Sequence, residues 1–222
     1  MPLLSIIVVT YNAEAVVGPT LASVASQRGC DYECVLVDGA STDNTLAVAR
    51  SYADRLSALV LSSEPDDSLY DAMNKGLRRA SGQYVLFLNA GDVFHDDCVI
   101  EDFAALVEGG QELPAMVYGH TTVIMHDGKQ FLRHVRSLDY ISHGQPTIHQ
   151  SVFFRKDAHL EAPYRYRDFP ISADYGTMAL IQKRYPGQIL RWDRIVADFH
   201  NDPQSVTNRN LWPRIRDAWR IQ

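Results

Sequence analysis

Carboxylates and carboxamides recur at one kind of place in the first half of this chain, directly after short β-branched runs. Thr10-Tyr11-Asn12 follows the first run, and Asp38 with Gly39-Ala40-Ser41-Thr42-Asp43 follows the second. Glu64-Pro65-Asp66-Asp67 follows the third, and Asn89-Ala90-Gly91-Asp92 the fourth. Each cluster alone reads as turn and helix-start chemistry, because Asp, Asn and Ser favour turns and caps. Asp43, beside Ser41 and Thr42, fits the first turn of a helix. Four such clusters on one edge imply more. Gathered carboxylates repel unless a cation lies among them, and the hard cations that prefer oxygen are Mg²⁺ and Mn²⁺.

The elements that must position these groups alternate in period. Residues 3–9 read as a buried strand, and 14–27 as a helix with Val17, Leu21 and Val24 along one stripe. Strands follow at 33–37, 58–61 and 84–88, and helices at 42–52, 69–80 and 96–107. Strands separated by helices imply βαβ units, so the fold class is α/β, with a mostly parallel central sheet flanked by helices. In such a sheet, ligands bind beyond the carboxyl ends of the strands, where all four clusters fall. The second half is less regular. Residues 115–125 and 130–135 form a hairpin around Asp127-Gly128; a strand at 151–154, a helix at 173–184 and a strand at 195–199 follow. A last helix starts near Trp212-Pro213. No linker or repeat interrupts the 222 residues, so a single domain is expected.

Composition narrows the function. A formal charge of −6 argues against nucleic acid as a partner, since that affinity depends on neutralising phosphates with Lys and Arg. Cys30, Cys34 and Cys98 form no CxxC pair, which fits a reducing interior. The N-terminus lacks the basic region and cleavage site of a signal peptide, and no stretch approaches the ~20 apolar residues of a membrane span. A cytoplasmic protein, or one peripheral on the inner face of the cell membrane, is expected. The turn after the first strand contains no glycine, which excludes a dinucleotide fingerprint and a P-loop. Phosphates must then be held by side chains or by a metal.

Taken in order, these motifs resemble a known family. Residues 5–12, Ser-Ile-Ile-Val-Val-Thr-Tyr-Asn, and 37–43, Val-Asp-Gly-Ala-Ser-Thr-Asp, look like the opening of the family 2 glycosyltransferases of the GT-A fold. Ser63-Glu64-Pro65-Asp66, Tyr70-Asp71-Ala72-Met73-Asn74-Lys75-Gly76 and Phe87-Leu88-Asn89-Ala90-Gly91-Asp92 are similar to the bacterial branch that builds exopolysaccharides such as colanic acid.

The resemblance implies a metal-dependent, inverting transfer of a sugar from a nucleotide-diphosphate donor, UDP-linked by default, to a glycan or lipid-linked acceptor. Residues 1–95 would form the nucleotide-sugar half, 96–207 the acceptor half and 208–222 a C-terminal amphipathic helix. Thr10, Tyr11, Asn12 and Asp38 would hold base and ribose, although Gly39 stands where many members carry a second acid. The family's D-x-D motif is altered at both positions, leaving Asp92 as the carboxylate for Mn²⁺ or Mg²⁺, with Asn89 beside the donor. One carboxylate with diphosphate oxygens and waters suffices for Mg²⁺. Asp92 could instead cap the helix from residue 96, and a metal-ligand role for His200 is less favoured than a structural one.

On the third helix, Asp71, Asn74, Lys75 and Arg78 share one face opposite Leu69, Met73, Leu77 and Ala80; the face is either solvated, with an Asp71–Lys75 pair, or borders the donor. Asp174, in Ile171-Ser172-Ala173-Asp174-Tyr175, matches the family's catalytic base. It heads a stripe with Met178, Ile181 and Tyr185, so burial is expected to raise its pKa. His149 and Gln150 resemble a segment near the acceptor. Leu211, Trp212, Ile215, Ala218 and Trp219 share a face that suits either anionic lipid or packing on the core or a second subunit of a homodimer. A sugar nucleotidyltransferase and an inactive binding protein of the same fold remain as alternatives.

Overall fold

The computed structural model describes residues 1–29, 31–138, 141, 144–201 and 217. At its centre lies β1 (Leu4–Thr10), parallel to β2 (Tyr32–Asp38) on one side and to β4 (Tyr84–Phe87) on the other. β3 (Leu59–Ser63) continues the parallel set beyond β2. All seven residues of β1 are buried, because both sheet faces are covered. Leu4, Ile6 and Val8 enter a core with Val17, Leu21 and Val24 of α1 (Val17–Ala25) and Phe103 of α4 (Val99–Glu108). Ile7 and Val9 enter the opposite core with Met73 and Leu77 of α3 (Leu69–Arg79) and Met178 and Ile181 of α6 (Ala173–Arg184). Each such side chain, fully buried, contributes roughly 1.5–3 kcal/mol. α3 approaches so closely that a Cβ on Gly76 would lie 2.4 Å from Ile7 Cγ2.

The second half completes a nine-stranded sheet in mixed sense. β8 (Val152–Arg155) runs antiparallel to β4, and β6 (Met116–Met125) antiparallel to β8. β9 (Ile189–Asn201) is parallel to β6, and the short β5 (Val93–Phe94) is antiparallel to β9. The expected hairpin is present, with β7 (Gln130–Arg133) paired to β6. Among the described residues, no helix is long and apolar enough to cross a membrane.

Several boundaries differ from the periodicity, each for a local reason. The first helix starts at Val17 and not at 14, because Thr45 Oγ1 takes the N–H of Ala13 at 2.7 Å and Asp43 Oδ2 that of Glu14 at 3.1 Å. α2 (Thr45–Arg50) starts at 45 and not at 42, since Asn12 Oδ1 takes the Thr42 N–H and Glu14 Oε2 the Asn44 N–H. The fourth helix starts at Val99; before it, β5 is occupied with β9, and Asp96 Oδ1 accepts from the Cys98 N–H. β9 is six residues longer at its start than the apolar run at 195–199, because its polar first half pairs along β6 across an irregularity in register. Two elements gave no sequence signal: β5, and α5 (Lys156–Glu161), which follows β8 without a loop. The helix expected from residue 212 lies outside the described residues, apart from Asp217.

Candidate active site

The strand ends meet at one rim, and Asp38 ties three of them together. It is fully buried and accepts from Thr10 Oγ1 (3.0 Å), the Ser41 N–H (2.9 Å), Ser41 Oγ (2.5 Å) and Ser63 Oγ (2.7 Å). Burial alone would raise its pKa; the donors of Ser41, Ser63 and Thr10 outweigh it and hold the carboxyl below its ordinary range. Asn12, at φ 47°, staples the first loop to the second by accepting the Thr42 N–H at 2.9 Å. Tyr11 and Asn12 are the exposed members of this group, Tyr11 at 68%. The Tyr11 ring and the Asp66 carboxylate flank Gly39: a Cβ there would lie 3.4 Å from Tyr11 Cδ2 and 3.0 Å from Asp66 Oδ2. The missing second acid thus corresponds to a notch that glycine keeps open.

On α3, the expected Asp71–Lys75 pair forms at 3.3 Å, but Lys75 binds more tightly elsewhere. Its Nζ reaches the Pro65 carbonyl and Asp66 Oδ1, both at 2.6 Å, and so ties α3 to the loop after β3. The expected face is split. Asn74 is buried and pairs with the backbone of Tyr164 through both amide atoms, because the chain at 164 packs over that turn; Arg78 stays in solvent. Leu69, placed on the apolar side, is 40% exposed, while Tyr70 beside it is buried.

The second cluster is built across the sheet. Asp174, in the first turn of α6, is 6% exposed. Its Oδ1 accepts from Tyr70 Oη at 2.8 Å, and its Oδ2 from Gln145 Nε2 at 2.7 Å. His149 Nδ1 also faces Oδ2, at 3.3 Å, while Nε2 of the same ring meets Asn89 Nδ2 at 3.2 Å. Burial pushes the Asp174 pKa up, yet His149, Tyr70 and Gln145 more than offset it, so the net shift is downward. This corrects the expected rise. The helical stripe revealed the apolar neighbours of Asp174 but not donors arriving from three other segments. Tyr70 and Gln145 are the residues that sequence reasoning missed. Tyr70 stood inside a quoted motif, and Gln145 precedes Pro146 in a loop without periodicity.

Asp92 is 4% exposed, and its oxygens accept from Gln150 Nε2 (2.7 Å) and from the His200 N–H (3.0 Å). It therefore does not cap α4, and His200 reaches it through backbone. Burial raises its pKa to about 6 in spite of these donors. His149 and Gln150 are neighbours in one short turn (His149–Ser151), so a single turn holds both acids. Both residues are buried, which leaves little of either for direct contact with an acceptor.

The donor set fits a hard cation. Asp92 supplies a carboxylate, and two buried carboxamide oxygens on the same cluster, Asn89 Oδ1 and Gln150 Oε1, have no hydrogen-bond partner among the described residues. Among the described residues, the one grouping of three potential ligands in mutual reach is Asp96, Asp97 and Cys98. It faces solvent and is taken by arginines, with Arg28 on Asp97 at 3.0 Å and Arg194 on Asp96 at 2.7 Å.

Comparison with known proteins gives the family. Residues 5–185 match the model of glycosyl transferase family 2. The chain belongs to that family. It is 33% identical over 225 residues to a putative teichuronic acid biosynthesis glycosyltransferase, TuaG, of Bacillus subtilis, covering 98% of this chain and 86% of that protein. Among solved structures, TarS 1–349 of S. aureus in complex with UDP-GlcNAc superposes with a TM-score of 0.73 at 19% identity, over 94% of this chain and 61% of that one. Glucosyl-3-phosphoglycerate synthase from Mycobacterium tuberculosis, solved with Mn²⁺, UDP and glucosyl-3-phosphoglycerate, superposes with a TM-score of 0.65 at 14% identity, over 100% and 81%. The fold is a single glycosyltransferase domain with GT-A-like neighbours, and the chain is a glycosyltransferase.

Proposed function

We propose that this glycosyltransferase works by a single inverting displacement, with Asp174 as the base and Asp92 as the metal carboxylate, in the assembly of a bacterial polysaccharide or glycolipid. The observation that carries the reading is the turn at His149–Ser151, from which adjacent residues bind Asp174 on one side and Asp92 on the other.

Asp174, held ionised by its donors, removes the proton from the acceptor hydroxyl. The oxygen attacks the anomeric carbon as the bond from that carbon to the nucleoside diphosphate breaks, and the bonding pair leaves with the diphosphate. One displacement inverts the centre, and the proton stays on Asp174. Asp92 would hold Mn²⁺ or Mg²⁺, whose chemistry is Lewis-acid stabilisation of charge on the departing diphosphate. Thr10, Tyr11, Asn12, Asp38, Asp71, Lys75 and Asn89 belong to the donor side. Within it Asp38 acts by fixing the loops, since its oxygens are already engaged by protein donors. A UDP-sugar is the default donor, in keeping with UDP-GlcNAc in the TarS complex and UDP in the mycobacterial one. A lipid-linked acceptor would place the protein at the cytoplasmic membrane surface.

The test is Asp174→Asn. Transfer should fall by roughly 10²–10⁴-fold, while the thermal shift given by UDP-sugars with Mn²⁺ stays at its wild-type size. Normal turnover by the variant refutes the assignment. Screening UDP-, GDP- and dTDP-sugars in the same thermal assay identifies the nucleotide.

A further inference from the structure

We infer that His149 is a positioning residue, which Asn89 fixes as the Nδ1–H tautomer so that its ring orients the carboxylate of Asp174. This rests on the reading of Asp174 as the base, and it replaces direct contact between His149 and the acceptor.

The tautomer follows from who can donate. Asn89 presents Nδ2 to His149 Nε2 at 3.2 Å, and an amide nitrogen only donates, so Nε2 must carry its lone pair. The neutral ring then has its proton on Nδ1, which lies 3.3 Å from Asp174 Oδ2. An ionised carboxylate only accepts, so this proton is the one that bonds the pair. The reversed orientation of Asn89 would place Oδ1 on Nε2 and require a proton there. A neutral ring would then turn a lone pair on Nδ1 toward the lone pairs of Asp174, and a doubly protonated ring is the one alternative form that would satisfy both contacts. With Asn89 Nδ2 on Nε2, the Nδ1–H ring is the neutral form that satisfies both neighbours.

The consequence for the base is geometric. Oδ2 of Asp174 receives two donors, Gln145 and His149, while Oδ1 receives Tyr70. Proton uptake from the acceptor therefore falls to the second lone pair of Oδ1. The bonds to Oδ2 stop the carboxylate from rotating and exchanging its two oxygens. His149 is 9% exposed, so its ring is fixed by packing as well as by its partners. Because Asn89 lies at the end of β4, the base is aligned from the donor side of the rim.

Two substitutions separate the ring nitrogens. His149→Asn places an amide nitrogen near the Nδ1 position and keeps a donor to Asp174; His149→Gln places it near Nε2 and does not. Turnover is read as UDP release from UDP-GlcNAc with Mn²⁺ and octyl glucoside as acceptor probe. The Gln variant should lose roughly ten- to a hundredfold in kcat with donor KM unchanged, and the Asn variant should recover most of that loss. Nitrogen NMR of labelled histidine in the unliganded wild type should show the His149 ring as Nδ1–H. Thermal midpoints confirm that both variants fold, and the NMR result decides alone where turnover is too slow to measure. An Nε2–H or doubly protonated ring, equal activity of the two variants, or a rise in acceptor KM with kcat preserved in both would overturn the inference. Full activity of Asp174→Asn would instead remove the base itself.

Discussion

Gln150 Nε2 donates to Asp92 Oδ2 at 2.7 Å, and among the described residues this amide is the one side-chain donor to that buried carboxylate. A neutral amide compensates a charge only partly, so burial keeps the Asp92 pKa near 6. A carboxylate so placed is stabilised by a proton or by a cation.

A pH dependence follows for the metal-free protein. Unfolded, Asp92 titrates at its ordinary value of 3.8; folded, at about 6. Between these values the folded chain keeps a proton that the unfolded chain has released. The contribution is therefore complete below the unfolded value and is lost as pH rises through 6, at a cost of about 3 kcal/mol by neutral pH. Asp92→Asn should raise the metal-free midpoint at pH 7.5 and abolish the shift given by Mn²⁺, with the gain shrinking toward pH 4. An Mn²⁺ shift that survives the substitution would remove Asp92 from the metal site.

The first half of the molecule was legible because its signals are local. The apolar run at 3–9 and the shorter one at 33–37 read as interior strands, which they are, and four polar strand ends of a parallel sheet must share a rim. What escaped was what other segments bring. Asn74 read as a solvated helix position, yet the Tyr164 backbone covers it. Asp174 read as a base with a raised pKa until Tyr70, Gln145 and His149 supplied donors from 104, 29 and 25 residues away. Residues 189–194 carry Arg191, Asp193 and Arg194, whose charge hid a strand that pairs through its backbone.

Gly76 offers a simple check on the packing of α3. A Cβ there meets Ile7 Cγ2 at 2.4 Å, and Ile7 is fully buried in the central strand, so neither side can yield freely. Gly76→Ala should destabilise by about 1–3 kcal/mol despite its better helix propensity. Urea unfolding measures this, and a stabilised variant would contradict the close approach.

His159 is a buried liability of another kind. Its ring packs on Phe154, Tyr164 and Phe87, at centroid distances of 4.6, 4.8 and 5.3 Å, and neither nitrogen has a partner among the described residues. Burial lowers its pKa from 6.5 to about 4. Unfolded chains therefore take up this proton first: the stability is present above 6.5 and is lost as pH falls through 4, by about 3 kcal/mol in all. His159→Phe keeps the aromatic contacts and removes both orphan atoms. It should unfold at higher urea than wild type at pH 7, and the gap should widen at pH 4.5. Parallel acid limbs for the two proteins would show that His159 is not a source of acid sensitivity.

The C-terminal segment can be tested apart from any membrane. Asp217 is fully buried, and its Oδ2 accepts the N–H of Ile171 at 3.0 Å. The carbonyl of Ile171 accepts from the same Tyr70 hydroxyl that binds Asp174. Ile171 is therefore held on both sides, three residues before the proposed base, and one anchor comes from the end of the chain. Asp217→Ala should lower kcat by about tenfold in detergent-free buffer with a water-soluble acceptor, leaving the UDP-sugar thermal shift intact. A defect that appears only when anionic liposomes carry the acceptor would assign the segment to membrane contact. A variant with wild-type kcat in both settings would show that Tyr70 alone suffices to hold the turn before Asp174.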